Sequence, residues 1–115
     1  LIANSSIDVV LSNCVLNLVN PESRNRLLAN IRRVLKPSGR VAISDIVSDH
    51  MVPLELQRDP ELWTGCISGA WQEDKFLEDF IALGFKEVKY VDRSEEPWKS
   101  IKGIEFRSVT LIGHL

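Results

Sequence analysis

Residues 7–47 read IDVVLSNCVLNLVNPESRNRLLANIRRVLKPSGRVAISDIV, and this stretch decides the fold. Ile7-Asp8-Val9-Val10-Leu11-Ser12 is a short, β-branched, nearly continuous apolar run, which suits a strand covered on both faces. Asn20-Pro21-Glu22 starts a helix, with Asn20 as N-cap, Pro21 at the first helical position and Glu22 near the positive end of the dipole. Leu27, Leu28, Ile31, Val34 and Leu35 follow at helical spacing, and Arg24, Arg26, Arg32 and Arg33 are expected on the solvated side. Lys36-Pro37-Ser38-Gly39 ends the helix and turns the chain. Arg40 to Val47 is then a second buried strand. A strand, a helix of about four turns and another strand make a βαβ unit, with parallel strands and a right-handed crossover.

Beyond this unit, Ser48 to Pro60 is polar, carries Pro53 and Pro60, and holds a short helix at Leu54 to Arg58. Glu61 to Ala70 reads as helical or irregular around Gly65 and Gly69. Glu73 to Leu83 places Phe76, Leu77, Phe80 and Ile81 on one face, and Gly84 closes that helix at C′. Phe85 to Val91 is a third strand, Asp92 to Gly103 a loop, and Phe106 to Gly113 a fourth strand. No helix separates the last two strands, so they should pair antiparallel. The reading is a single α/β domain over residues 1–115, without repeat, low-complexity tract or linker.

The chain has 115 residues and a net charge of -2; it is 44% hydrophobic and 26% charged, which argues against disorder. That length buries roughly 65% of the unfolded surface, enough for one modest core. Near-neutral charge removes the electrostatic case for binding nucleic acid or an anionic membrane. The longest uncharged stretch, Val9 to Pro21, is too short to span a bilayer, and no basic segment precedes an apolar one as in a secretory leader. Two cysteines exclude a disulfide scaffold and a four-thiolate zinc site. An intracellular, cytoplasmic protein is expected. The glycines, at 39, 65, 69, 84, 103 and 113, form no G-x-G phosphate loop. A buried first strand also needs neighbours on both edges, so the chain reads as the second half of a larger sheet.

Several residues invite chemistry and have plainer readings. A lone buried Cys is most often a small apolar core residue, which is the plain reading of Cys14 taken without its context. A Cys14–Cys66 disulfide is the alternative for two thiols that approach each other. Trp63 and Trp71 flank Cys66 and suit core plugs, and Asp45 suits a strand-end residue capping nearby amides or lining a crevice. Gly65-x-x-x-Gly69 suits close packing or a turn. His50 and His114 match no zinc spacing.

The piece RVLKPSGR, Arg33 to Arg40, together with Ser44-Asp45, resembles the corresponding region of many S-adenosylmethionine-dependent methyltransferases. SNCVLNL, Ser12 to Leu18, with DPELWTGCISGA, Asp59 to Ala70, is more specific and resembles the arsenite methyltransferases. EFRSVTLIGHL, Glu105 to Leu115, is similar to the last strand of their catalytic domain. The resemblance implies a partial Rossmann-like methyltransferase sheet, strands four to seven of seven with the last antiparallel, lacking the glycine-rich cofactor half. It implies that Cys14 and Cys66 are thiolate ligands of arsenic(III), that Asn13 lies on the cofactor side, and that S-adenosylmethionine is the cofactor. Arsenite or thiol-conjugated arsenic(III) would be the substrate, and no residue need act as a general base. A third thiol of the family falls outside this stretch, and the isolated chain is not expected to turn over. Whether it is an enzyme thus stays open, and two other readings remain: a stand-alone metalloid- or metal-binding module, and a non-catalytic dimeric remnant. A homodimer through the open edge of Ile7 to Ser12 is expected.

Overall fold

The computed structural model describes residues 2–19, 21–61 and 69–115. Strand β1 (Ile7–Asn13) leads through a single 3₁₀ turn (Leu16–Leu18) to helix α1 (Pro21–Val34) and strand β2 (Leu35–Ser48). A short helix α2 (Leu54–Gln57), strand β3 (Trp71–Gln72), helix α3 (Glu73–Ala82) and strands β4 (Lys86–Arg93), β5 (Lys99–Ile101) and β6 (Ile104–His114) follow. Their sheet runs β1-β2-β6-β4, with β3 beside β2 and β5 beside β6.

The βαβ reading holds: β1 and β2 are parallel, from Val9 opposite Arg40 to Asn13 opposite Ser44. Their register slips between Ile7 and Val9, where Lys36-Pro37-Ser38-Gly39 loops out of the ladder. The second strand thereby begins at Leu35, earlier than its hydrophobic pattern suggests. β6 returns antiparallel between β2 and β4, with Ile43 opposite Leu111 and Tyr90 opposite Leu111 on the other side. The expected antiparallel last pair is therefore present. The span read as a loop, Asp92 to Gly103, contains β5, a three-residue strand hairpinned onto β6. Lys102 (φ 50°) and Gly103 (φ 80°) both have the positive φ that a tight hairpin demands, and Lys at such a position gave no turn signal.

Alternation along the strands sorts the two faces. On one, Val41, Ile43, Val109 and Leu111 pack with Leu28 and Ile31 of α1 and Phe76 and Phe80 of α3. Trp71 stacks on Phe76 with centroids 5.0 Å apart, and Tyr90 meets Phe76 edge-on at 6.2 Å. Side chains of this size each contribute about 2–3 kcal/mol on burial. On the other face, Ile46, Val52, Leu56, Ala70, Ile104 and Phe106 form a second cluster at the carboxyl end of β2. Farther toward its amino end that face is open, a groove lined by Val9, Ala42, Lys89, Ile112 and His114.

Helix α3 is closed as its sequence requires. Gln72 caps it by accepting from the Lys75 amide at 3.1 Å. At the other end the Gly84 amide donates to Ile81 and the Phe85 amide to Phe80, the paired bonds of a Schellman motif. Gly84 has φ 97°, and Phe80 and Phe85 supply the accompanying apolar contact at 5.6 Å.

One expectation fails. β1 lies at the edge of the sheet, which agrees with the open edge expected of Ile7 to Ser12, but it is covered on one face alone. Ile7 and Val10 pack against the core, whereas Leu11 on the opposite face is 74% exposed. Among the described residues no helix is long and apolar enough to cross a membrane.

Candidate site at the carboxyl end of the parallel strands

Parallel strands bring their carboxyl ends to one rim, and open α/β sheets bind ligands there. Asn13 is the last residue of β1, exposed, opposite Ser44 of β2. Leu11 and Ala42 floor a shallow depression, and Ser12, Asn13 and Ser44 supply its polar rim. Ser44 is held by a 2.8 Å hydrogen bond with Thr110 of β6.

Cys14 follows directly. It is exposed, so the plain reading of a small core residue does not apply to it. Its amide donates to the Ser44 carbonyl at 2.8 Å, and its φ is 56°. A non-glycine residue in the left-handed region is strained by about 1–3 kcal/mol, and such residues concentrate where side-chain placement matters. This conformation turns the chain out of β1 into the Leu16–Leu18 turn.

Beneath that turn sits Asp45, only 1% exposed. Its carboxylate accepts from the Asn17 amide at 3.3 Å and from its neighbour Ile46 at 3.0 Å. The buried Asn17 side chain in turn donates to the Ile46 carbonyl at 2.6 Å. Asp45 is therefore the amide-capping residue its position suggested and does not line the open depression. Burial pushes its carboxyl up to about 6, while hydrogen bonds from the backbone and the Arg24 charge act in the opposite sense.

Arg24 corrects a second expectation. It is not on the solvated face of α1: its guanidinium lies 3.8 Å over the Trp71 ring and donates to the Gly69 carbonyl at 2.6 Å. Trp71, the core plug expected, donates its indole N–H to Asp79 at 2.9 Å. Burial holds the Arg24 guanidinium below its ordinary range, offset by Asp79 and Asp45. The signal was in the spacing, because Arg24 precedes Leu28 by four residues and Ile31 by seven, on the buried stripe. Arg32 and Arg33 do face outward, tying α1 to Leu83 and to Ile2 and Asn4.

Cys66, with Trp63 and Gly65, lies outside the described residues, so the disulfide alternative is not addressed by the geometry. His50 sits beside Asp49 just past the carboxyl end of β2, whereas His114 pairs with Arg40 near the other end. Among the described residues no cluster of three or more His, Cys, Asp or Glu is arranged to hold a metal ion.

Comparison with known proteins agrees with this architecture. A family described as a methyltransferase domain matches residues 2–93. An arsenite methyltransferase from Halobacterium salinarum is 42% identical over 82% of this chain, and one from Aquipseudomonas alcaligenes is 34% identical over 79%. The chain spans 24% and 26% of the length of those two proteins. Among solved structures, an arsenic(III) S-adenosylmethionine methyltransferase from Chlamydomonas reinhardtii superposes with a TM-score of 0.81 at 28% identity, covering 96% of this chain and 38% of that one.

Proposed function

The chain belongs to the methyltransferase-domain family, and from that premise we propose that it is the arsenic(III)-holding part of an arsenite methyltransferase fold, with Cys14 and Cys66 as the thiolates. The observation that carries this reading is Cys14 itself: exposed, in a strained left-handed conformation, at the carboxyl end of the first parallel strand. The kinship to arsenite methyltransferases supports the choice of metalloid. Arsenic(III) is soft and favours sulfur ligands, as other soft ions do. Cys66 enters by its sequence context, GCISG, and by the Gly69 anchor that follows it.

The site is also suited to one side of S-adenosylmethionine, which supplies an electrophilic sulfonium methyl when bound. Leu11 and Ala42 offer an apolar floor, and the exposed Asn13 amide offers a donor and an acceptor beside it. Asn13 is the residue we assign to the cofactor side. The chain's own contribution to methyl transfer is orientation. Thiolates fixed on two separate segments hold the metalloid in one attitude, and a well-oriented reacting pair can be worth roughly 7–11 kcal/mol. None of these residues is needed as a proton acceptor.

Residues 1–115 contain no G-x-G loop, so what these residues contribute is the thiolate side of the site and one wall of the cofactor crevice. We assign it to a reducing compartment such as the cytoplasm, where thiols persist. We further infer that, in the isolated chain and with no cofactor bound, a second copy covers the open β1 edge, since Leu11 and Val9 stand exposed along an unprotected strand. The binding test is a calorimetric titration with arsenite under reducing conditions. Binding that is lost in Cys14→Ser and in Cys66→Ser is expected; equal affinity in wild type and both variants would overturn the reading.

A further inference from the structure

We propose that Asp45 is the positioning residue for Cys14: its carboxylate grips the turn that follows this cysteine and so fixes where the thiol stands on the rim. The consequence for arsenic binding rests on the thiolate reading above. Ser44, Asp45 and Ile46, consecutive on β2, hold the Cys14 turn along its length. The Ser44 carbonyl accepts from the Cys14 amide at 2.8 Å. The Asp45 carboxylate accepts from the Asn17 amide at 3.3 Å, and the Leu16 amide also bonds to it. The Ile46 carbonyl accepts from the Asn17 side chain at 2.6 Å. Within the turn, the Leu18 amide donates to Val15 at 3.0 Å and the Val19 amide to Leu16 at 3.1 Å.

Polar bonds, more than packing, fix this turn. Leu16 is buried beneath it, whereas Val15 and Leu18 are exposed. Cys14 holds a φ of 56°, which a residue with a side chain keeps only where its surroundings impose it. A carboxylate suits that task because it accepts several amides at once, and bonds to a charged acceptor are stronger than neutral ones. An Asn in its place would present one oxygen and turn its amino group toward one of the same amides. The anchor is firm, since Asp45 is buried on β2 and also accepts from the Ile46 amide at 3.0 Å. Burial disfavours the ionised carboxylate, so filling space beneath the turn would be served better by an apolar side chain. Asp45 acts through the turn and not on the reacting atoms.

The test compares Asp45→Asn with wild type in the full chain, by arsenite affinity and by the rate at which iodoacetamide alkylates Cys14. Alkylation is followed on the Cys14 peptide at about pH 10, where the thiol is ionised in both proteins and only its placement differs. In Asp45→Asn, arsenite affinity should fall about tenfold, the measure of one lost bond to a charged group, and alkylation should quicken about threefold or more. The Leu16 and Asn17 amide resonances should move while those of α3 stay. Gly84→Ala, which strains the far end of α3, is the control for lost stability and should leave both readouts within about twofold of wild type. A folded Asp45→Asn within about twofold of wild type in either readout, or alkylated more slowly, would overturn the proposal. So would a Gly84→Ala chain that shifts both readouts as far. If Asp45→Asn does not fold, Asn17→Ala, which releases the turn from the Ile46 carbonyl, decides by the same two criteria. If wild type binds arsenite no better than Cys14→Ser, the thiolate reading fails separately, and alkylation alone then decides whether Asp45 places Cys14.

Discussion

At the scale of single residues, Asp45 carries the clearest pH signature. Its carboxyl is raised from 3.8 to about 6, chiefly by burial. A raised acid favours the folded state while protonated, so its stabilising effect is full below about pH 4 and is lost as the pH climbs through 6. The difference corresponds to about 3 kcal/mol. Urea unfolding from pH 4.5 to 8 should therefore show wild type losing stability relative to Asp45→Asn as the pH rises. Parallel curves for the two proteins would contradict this assignment. The residue itself was legible in the sequence as a strand-end cap. Its burial was not, because burial there depends on the Leu16–Leu18 turn folding over it and on Asn17 filling the remaining space. Arg24 shows the converse: it lay on the buried helical stripe, but its charge argued for solvent until the Trp71 ring offered a face to stack on.

At the scale of elements, local rules were reliable wherever the chain's own chemistry ends an element. Gly84 closes α3 with φ 97°, a conformation that costs a side-chain-bearing residue about 1 kcal/mol or more. Gly84→Ala should lower the melting temperature by about 3–6 °C, and an unchanged melting temperature would show that the left-handed cap is dispensable. β1 was harder to read. Its apolar pattern is that of a strand with cover on both faces, and composition alone does not reveal which cover is present. Leu11, 74% exposed at the sheet edge, gives the test. Leu11→Lys on that edge should convert a dimer to monomer in light scattering at micromolar concentration. A wild-type chain that is already monomeric there would remove the inferred pairing. The hairpin at β5 went unread because Lys102 carries the positive φ that turn rules assign to Gly, Asn or Asp.

For the whole molecule, the order β1-β2-β6-β4 sets two requirements on the site. β6 must lie between β2 and β4 so that Thr110 supports Ser44 next to Asn13. The core face must hold α1 and α3 against the sheet so that Arg24 and Trp71 meet. Phe106, wholly buried in the second cluster, secures the carboxyl end of β2 from the other side. Phe106→Ala should cost about 3–5 kcal/mol, enough to unfold much of the population of a domain this size, as circular dichroism would report. A loss below about 1 kcal/mol would mean that this cluster does not support the rim. The fold class and strand directions were readable because periodicity and caps are local; the partners of Arg24 were not, since its stacking on Trp71 and its bond to Gly69 join segments distant in sequence. The central claim is that Cys14 and Cys66 of one chain meet on one arsenic atom. Arsenic K-edge absorption on the arsenite-loaded chain, in a buffer free of added thiol, tests it most directly. Two sulfur neighbours per arsenic in wild type, falling to one or none in Cys14→Ser, are expected; a shell of oxygen alone, or one unchanged by that substitution, would contradict it.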